Sequence, residues 1–256
     1  MTRRPGFPAR LDAARGPAPA ARSNPVRRDA APPAAPSGLG LDSQAVRESM
    51  VQKLAREGIS DTAVLAAMGT VARHAFVDSA LVNQAYEDTS LPIGLGQTIS
   101  KPSVVARMIE LLLGGQREAG GRLGRVLEIG TGCGYQAAVL ARVAREVYSI
   151  ERLRGLHEKA RDNLRPLRIP NVHLLFGDGM LGFPRGAPYA GIIAAAGGGA
   201  IPGGWIEQLA VGGRIIAPMQ MAGGRQALVI VEKSAAEVKQ TVLETVHFVP
   251  LKSGIA

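Results

Sequence analysis

The stretch that decides the fold is Val126-Leu127-Glu128-Ile129-Gly130-Thr131-Gly132-Cys133-Gly134-Tyr135. Its first four residues suit a buried strand, three glycines follow at alternate positions, and helical spacing starts at the tyrosine. Glycine lets the backbone approach a ligand closely and adopt positive φ angles. The pattern predicts a buried strand that ends in a tight turn beside a ligand, with a helix directly after the turn.

Strands and helices alternate along the chain around this stretch. Strands are predicted at 126–129, 147–151, 172–176, 191–195, 214–218, 227–232 and 241–248, and helices at 101–113, 135–143, 156–167 and 205–209. Such alternation is typical of α/β proteins in which helices cover both faces of a parallel sheet. We therefore expect a Rossmann-like, mainly parallel, doubly wound sheet.

Two short helices before this core are predicted to form an N-terminal helical cover. Asp42 or Ser43 would cap the first, which would end at Gly58, and Asp61 would cap the second. Apolar residues recur in both at helical spacing, namely Val46, Met50, Val51 and Leu54, then Val64, Leu65 and Met68. Residues 86–100 are predicted to be a loop, and loops of this length inside compact domains are typically functional.

The first 40 residues differ in composition from the rest. They are rich in Pro, Ala, Gly and Arg, and their seven arginines against Asp12 and Asp29 supply +5 of the net charge of +9. Such a segment has too few large apolar groups to offset the entropy of ordering. We interpret residues 1–40 as a disordered basic tail and residues 41–256 as one folded domain, which is nearly balanced in charge and so predicts no specific nucleic acid partner.

Cysteine and histidine are sparse. The single Cys133 excludes an intramolecular disulfide and a cysteine-based zinc cage, and the four histidines lie far apart in sequence. No apolar run approaches the ~20 residues that span a bilayer. We expect a cytoplasmic protein with neither a metal site nor a membrane segment.

The glycine spacing favours one ligand over another. A dinucleotide fingerprint, Gly-x-Gly-x-x-Gly, would need glycine where Tyr135 stands, which disfavours a pyrophosphate clamp. The spacing Glu-x-Gly-x-Gly-x-Gly, from Glu128 through Gly130 and Gly132 to Gly134, better fits S-adenosyl-L-methionine (AdoMet). AdoMet has no phosphate, and an acidic residue can favour its α-ammonium group directly or through water.

Two further strand ends carry acidic residues. Glu151 closes the second predicted strand, where α/β nucleoside sites commonly place a carboxylate for the ribose hydroxyls. Asp178 and Gly179 follow the third strand, where the Asp178 side chain or the neighbouring backbone amide is expected to bond the adenine edge. The glycine turn, Glu151 and Asp178 lie at the ends of three successive predicted strands, and together they predict an AdoMet site.

Residues 91–102, Leu-Pro-Ile-Gly-Leu-Gly-Gln-Thr-Ile-Ser-Lys-Pro, resemble the signature loop of the protein-L-isoaspartate (D-aspartate) O-methyltransferase family. Other segments that resemble this family are Arg73-His74-x-Phe76-Val77-Asp78, Tyr86 to Asp88, and Phe248-Val249-Pro250-Leu251. The resemblance runs from about Leu41 to Leu251. It implies a class I AdoMet-dependent methyltransferase domain.

The resemblance also implies the reaction, which is methylation of the α-carboxylate of L-isoaspartyl residues in damaged proteins and peptides. The ester would close to a succinimide, whose hydrolysis returns some normal aspartate. A carboxylate is already ionised near neutral pH, so the reaction needs orientation more than a general base. Isoaspartyl-containing proteins and peptides are the expected partners, and a monomer is the expected state.

Site roles follow from the same resemblance. Ser100 would be the catalytic hydroxyl, and Thr98 and Ile99 would form with it a wall against AdoMet and the substrate carboxylate. The segment Val249, Pro250 and Leu251 would bind the peptide through apolar contacts and backbone hydrogen bonds. The position of Ser100 also suits a cap of the helix that begins near Pro102, so both interpretations stay open.

One region departs from the family. Ala190 stands where members commonly carry aspartate, and residues 195–200, Ala-Ala-Gly-Gly-Gly-Ala, replace a Thr-Ala-Ala-Pro-like run. Because glycine loosens a backbone, a loose loop is predicted beside the active site. The alternatives to the implied reaction are an AdoMet methyltransferase with a different substrate and a basic binding protein with an inactive methyltransferase fold.

Removal of residues 1–40 should leave methyl transfer intact, because the family resemblance begins after them. A protein that starts at Leu41 is expected to keep its rate on an isoaspartyl peptide and to lose salt-sensitive adhesion to polyanions. Both properties are measured beside the full-length chain. Loss of catalysis in a folded truncated protein would show that the segment takes part in the reaction.

Overall fold

The computed structural model describes residues 44–115, 117–118 and 120–256. In chain order its regular elements are α1 (Gln44–Arg56), α2 (Thr62–Thr70), β1 (Leu91–Gly94), β2 (Gln97–Ile99), α3 (Pro102–Leu113), β3 (Leu123–Ile129), α4 (Tyr135–Val143), β4 (Ala144–Glu151), α5 (Arg154–Leu164), β5 (Val172–Phe176), β6 (Tyr189–Ala194), α6 (Gly203–Gln208), β7 (Leu209–Gln220), β8 (Gln226–Lys233) and β9 (Val238–Val246). The predicted tail, and the predicted caps Asp42 and Ser43, lie outside the described residues.

The main sheet has seven strands in the order β5-β4-β3-β6-β7-β8-β9. Strands β5, β4, β3, β6 and β7 run parallel to one another, whereas β8 is antiparallel to β7 and β9 is antiparallel to β8. This confirms the predicted mainly parallel, Rossmann-like class. The chain leaves β3 towards β4 on one side and later returns to β6 on the other, so the carboxyl end of β3 is a topological switch point, where α/β proteins bind ligands.

The strand and helix around the glycine turn are almost completely buried. In β3, Val126, Leu127 and Ile129 are at most 2% exposed, because helices cover both faces of a parallel sheet. In α4 only Arg142 lies outside the interior, and Ala137 and Ala138 let the helix approach the sheet closely. The turn between these elements is therefore held by well-packed structure on both sides.

Helices α1 and α2 form the predicted N-terminal cover and pack against α3 and α4. The predicted cap of α2 is confirmed, since the Asp61 carboxylate accepts hydrogen bonds from Ala63 N at 2.9 Å and Val64 N at 3.1 Å. Met68 is fully buried beneath α4, where its sulfur lies 3.7 Å from the Tyr135 hydroxyl oxygen. The cover thus reaches the residue that starts α4.

The prediction of a loop across residues 86–100 is wrong in part. Residues Leu91–Gly94 and Gln97–Ile99 pair as an antiparallel hairpin, with Leu91 opposite Ile99. Its tip has three successive positive φ angles, 98° at Gly94, 51° at Leu95 and 68° at Gly96. Gly94 and Gly96, which interrupt the regular period in the sequence, therefore form the tip of the hairpin, and strands form on either side of them.

The first turn of α3 is capped by a residue distant in sequence. Lys101 occupies the cap position without a side-chain hydrogen bond, and Asp88 accepts from Ser103 N and from Ser103 Oγ, both at 2.8 Å. The interpretation of Ser100 as the helix cap is thereby contradicted, because Asp88 already binds the first turn. Among the described residues, no helix is both long and apolar enough to cross a membrane.

Replacing Asp88 by alanine should destabilise the protein, because Ser103 would lose both hydrogen bonds at once. The expected loss is about 1–2 kcal/mol of unfolding free energy, which is the range for a helix-cap residue. Urea unfolding of Asp88→Ala measures it. Glu87→Ala is the matched control, since that neighbouring side chain is exposed and should have almost no effect; equal losses in the two variants would contradict the capping role.

Candidate active site

A cavity of about 420 Å³ opens at the carboxyl ends of β3 and β4, within the range of small-molecule sites. The β1–β2 hairpin, the glycine turn, the residues after β4 and β6, and the segment after β9 surround it. Residues on its wall include Ile93, Thr98, Gly130, Gly132, Glu151, Gly179, Ala195, Val249, Pro250 and Leu251. This space, the cofactor cavity below, brings together most of the residues that the sequence assigned to AdoMet.

The backbone amides of the glycine turn are already bonded inside the protein. Gly130 N and Thr131 N donate to Ile150 O at 2.9 and 3.2 Å, and Gly132 N donates to Glu151 Oε2 at 2.9 Å. A phosphate-binding turn needs such amides free to face the anion. The structure therefore supports a cofactor without phosphate groups, as the spacing predicted.

The three glycines of the turn have different roles. Gly130 and Gly132 have φ angles of 91° and 57° and line the cofactor cavity. Gly134, at φ 92°, is the cap of α4 and does not line that cavity; a Cβ there would lie 3.0 Å from Leu164 Cδ1. The structure therefore indicates that Gly134 is needed for packing α4 against α5, whereas Gly130 and Gly132 face the ligand.

Glu151 lies on the wall of the cofactor cavity with its side chain fixed in place. Its two carboxylate oxygens accept hydrogen bonds from Gly132 N and Leu153 N, each at 2.9 Å, and the residue is 4% exposed. A carboxylate has about four lone-pair positions. The remaining positions are suited to accept the ribose hydroxyls predicted to bind here.

Of the two adenine contacts considered after β5, the structure places only the backbone of Gly179 on the cavity wall. Asp178 uses its oxygens within the protein, accepting from Met180 N at 2.8 Å and from Gly254 N at 2.6 Å. Its side chain thus anchors the C-terminal segment. A Cβ on Gly179 would lie 2.5 Å from Ile129 Cγ2, so only glycine fits against the end of β3.

Glu128 was expected to meet the AdoMet ammonium group directly or through water, but its side chain does not line the cofactor cavity. It is 0% exposed and accepts a hydrogen bond from Ser149 Oγ. Burial raises the pKa of Glu128 to about 8, and the neighbouring charge of Glu151 adds to this, while Ser149 and Gln136 oppose it. Direct contact is thus not what the geometry offers.

A second cavity of about 620 Å³ adjoins the first and is the larger of the two. Thr98, Ala195 and Val249 line both cavities. Ser100 lies on the wall of the larger one, together with Lys101, Arg107 and residues 244–249. Ile99 is buried behind this junction and lines, with Ser100, a space of about 40 Å³ next to the glycine turn.

The C-terminal segment predicted to bind substrate is divided between the cavities. Val249 faces both, whereas Pro250 and Leu251 line only the cofactor cavity. Val249 O accepts from Gly197 N and Leu251 N donates to Gly197 O, both at 2.8 Å. Leu251 N and Val249 O are therefore used inside the protein, and the substrate-binding role of the segment stays a prediction.

The glycine-rich run after β6 is not the loose loop that its composition predicts. Gly197 pairs with Pro250 on one side, and Gly198 pairs with Met219 on the other. A Cβ at Gly197 would lie 2.6 Å from Gln226 Nε2, and one at Gly198 would lie 3.2 Å from Leu251 Cδ2. The small residues therefore permit close packing between two neighbouring backbones.

The segment from Arg73 to Phe76 lies beneath the glycine turn. The Arg73 guanidinium is fully buried 4.9 Å from the Tyr135 ring centroid, and Phe76 meets the same ring edge to face at 5.5 Å. Burial raises the pKa of Cys133, which agrees with its interpretation as a small packing residue and not a nucleophile. No local sequence signal links Arg73 to Tyr135.

Sequence reasoning missed several cavity residues. Those of the larger cavity include Glu57 and Gly58 at the end of α1 and Arg107 on α3, which reach it only through tertiary packing. Ala195 and Ala196 belong to the run 195–200 that the sequence placed beside the active site, and both line the cofactor cavity, because they follow a parallel strand whose carboxyl end lies beside that of β3.

The sheet order, the inward-bonded glycine turn and the carboxylate at the end of β4 define a class I AdoMet-dependent methyltransferase. Residues 45–256 match the family model described as protein-L-isoaspartate(D-aspartate) O-methyltransferase (PCMT). The chain belongs to this family.

Named relatives agree with the family assignment. A protein-L-isoaspartate O-methyltransferase of Methylibium petroleiphilum is 58% identical over an alignment of 264 positions, which covers 98% of this chain and 96% of that protein. One from Burkholderia mallei is 58% identical over 89% of this chain and 70% of its own length.

Solved structures agree as well. A protein-L-isoaspartate O-methyltransferase structure superimposes with a TM-score of 0.73 at 31% identity, covering 82% of this chain and 67% of that chain. A Plasmodium falciparum structure of the same description, in complex with S-adenosyl-L-homocysteine, shares the fold with a TM-score of 0.66 at 24% identity, covering 80% of this chain and 98% of that one.

Replacing Glu151 by alanine should weaken AdoMet binding by about 1–3 kcal/mol, because ribose hydroxyls and two backbone amides would lose a charged acceptor. Calorimetric titration of the folded variant measures the change. Glu146→Ala, on the same strand but half-buried beside His173 and outside the cofactor cavity, is the matched control and should bind normally. Unchanged AdoMet affinity in Glu151→Ala would remove the ribose assignment.

Proposed function

We propose that this chain transfers the methyl group of AdoMet to the α-carboxylate of L-isoaspartyl residues in damaged proteins and peptides, and so starts their repair through a succinimide. Family membership supports the reaction. Bound AdoMet supplies an electrophilic methyl group on a sulfonium. The cofactor would be held by Gly130, Gly132, Glu151 and Gly179, which line one cavity.

The observation that carries the proposal is the junction of the two cavities at Thr98, Ala195 and Val249. A methyl transferase has to hold its cofactor and its acceptor in separate spaces that meet at the reacting atoms. The larger cavity is of a size to admit a peptide segment, and residues 244–249 line part of it. Ser100 lines the larger cavity, two residues after Thr98 in the chain.

The chain's own residues can orient the acceptor without removing a proton from it. The substrate carboxylate is ionised at neutral pH, so no general base is required. Ser100 Oγ can donate to one carboxylate oxygen and leave the other free to face the cofactor cavity. Lys101 lines the same space with its ammonium group 3.9 Å from Asp88 Oδ2, where it adds positive charge near an anionic acceptor.

Further parts of the proposal concern the rest of the molecule. Residues 41–256 act as one methyltransferase domain, with the basic segment 1–40 outside it. The protein acts as a cytoplasmic monomer on isoaspartyl-containing proteins and peptides, without a specific nucleic acid partner or a membrane. The single buried thiol, Cys133, supports the localisation, since structural disulfides are typical of oxidising compartments.

Methyl incorporation into an isoaspartyl peptide, beside the same peptide with normal aspartate, tests the reaction. Incorporation into the isoaspartyl peptide alone is expected. Equal methylation of both peptides would favour a carboxyl methyltransferase of broader substrate range. AdoMet binding without methylation of either peptide would favour a methyltransferase that acts on another substrate.

Replacing Ser100 by alanine should lower turnover on the isoaspartyl peptide by about 100-fold, because a misplaced acceptor can cost that much even when both ligands bind. AdoMet affinity and thermal stability should stay near normal, since Asp88 caps α3. Asp61→Ala, which removes the cap of α2 and lines neither cavity, is the control, with lower stability and near-normal turnover. If Ser100→Ala loses only stability, the catalytic assignment is wrong.

A further inference from the structure

A buried chain of hydroxyl groups lies behind the glycine turn. Ser149 Oγ donates to Glu128 Oε2 at 2.5 Å, and Thr131 Oγ1 lies 2.6 Å from Ser149 Oγ. Glu128 and Ser149 are 0% exposed and Thr131 is 4% exposed. A serine hydroxyl has one proton to share in a hydrogen bond, and Ser149 donates that bond to the Glu128 carboxyl group. While Ser149 donates to Glu128, Thr131 donates to Ser149, and the lone pairs of Thr131 Oγ1 are left for a donor elsewhere.

The Thr131 end of this chain faces the ligand side of the protein. Thr131 lines the space of about 40 Å³ beside the glycine turn, together with Gln136. Gly130 and Gly132 border both this space and the cofactor cavity. A hydrogen-bond donor at the inner end of the cofactor cavity can thus bond Thr131 and act on Glu128 through two hydroxyl groups.

No positive charge balances Glu128 within the described part of the chain. On β4 it faces Ser149 and Glu151, on α4 it faces Gln136, and on β6 its register partner is Ile193. The only charged member of this set, Glu151, has the same sign. The Gln136 amide lies near enough to the Glu128 carboxyl group to oppose the rise of its pKa, but Glu128 Oε1 and Gln136 Nε2 make no hydrogen bond of standard geometry among the described residues. With its pKa raised to about 8, the Glu128 carboxyl is mainly protonated at pH 7 when no cation is nearby.

We propose that Thr131, Ser149 and Glu128 couple cofactor binding to proton release. When the cationic end of AdoMet occupies the cofactor cavity, the O–H bond of the Glu128 carboxyl group breaks, the proton passes to solvent, and the buried carboxylate compensates the positive charge of the ligand. The proposal rests on the proposed function, because it takes AdoMet as the ligand.

Proton release makes AdoMet affinity depend on pH. A group that is protonated in the free protein and ionised in the complex weakens binding as the pH falls below its pKa. Binding is therefore expected to tighten as the pH rises from 6 to 7, and release of one full proton sets the upper limit at about tenfold per pH unit. This interval lies below the pKa of about 7.7 for an α-amino group, so the ligand keeps its own ammonium charge.

Calorimetric titration of the full-length protein with AdoMet at pH 7, in phosphate and in Tris, counts the protons released, because the two buffers differ in ionisation enthalpy. The wild type is expected to release protons on binding AdoMet, with one proton per AdoMet as the upper limit. Glu128→Gln should bind AdoMet with no release, and Thr131→Val should lose most of it. Glu158→Gln, an exposed glutamate on α5, is the matched control and should behave like the wild type.

Three results would overturn the coupling, namely AdoMet binding to the wild type without proton release, undiminished release by Glu128→Gln, or undiminished release by Thr131→Val. The wild-type count alone decides the first, even where a variant fails to fold. Absence of AdoMet binding to the wild type would instead overturn the proposed function, and the coupling with it. The two failures are therefore distinguishable.

Discussion

The amide groups of the glycine turn point into the protein, and the form of the site depends on this constraint. Gly130 and Thr131 donate to Ile150 O, and Gly132 donates to Glu151, so the turn after β3 is bonded to the end of β4. Anionic ligands find no row of free amides here. A ligand with a cationic end and ribose hydroxyls instead meets a fixed carboxylate, and the cavity wall is as rigid as the sheet that carries it.

The second requirement of the site is that two cavities share one wall. Its members come from three separate elements, with Thr98 on the hairpin, Ala195 after β6, and Val249 after β9. Hydrogen bonds hold all three elements in place. Lys159 Nζ donates to Ile93 O of the hairpin at 2.8 Å, and the segments after β6 and β9 are bonded to each other through Gly197 and Val249. Rigid placement of this kind suits a reaction whose demand is alignment and not proton removal.

The sequence predicted elements whose signals are local. The bounds predicted for α4 and β5 agree with the structure, because glycine, periodicity and β-branched residues mark them directly. The cofactor residues at strand ends were predictable because carboxyl ends of parallel strands converge. Contacts between residues distant in sequence were not predictable. Asp88 binds Ser103, 15 positions later, in the first turn of α3. The glycine run after β6 pairs with Pro250 and Met219, which its local composition does not reveal.

Arg73 and Glu128 are both fully buried beside the turn, and they differ in whether burial removes their charge. Arg73 stays charged near neutral pH although burial lowers its pKa, because guanidinium is so strongly basic; the face of the Tyr135 ring offsets part of the cost. Glu128 can instead become neutral by binding a proton. A fixed cation can only hold α4 and its turn in place. The carboxyl group is the one of the two whose charge can follow that of a ligand.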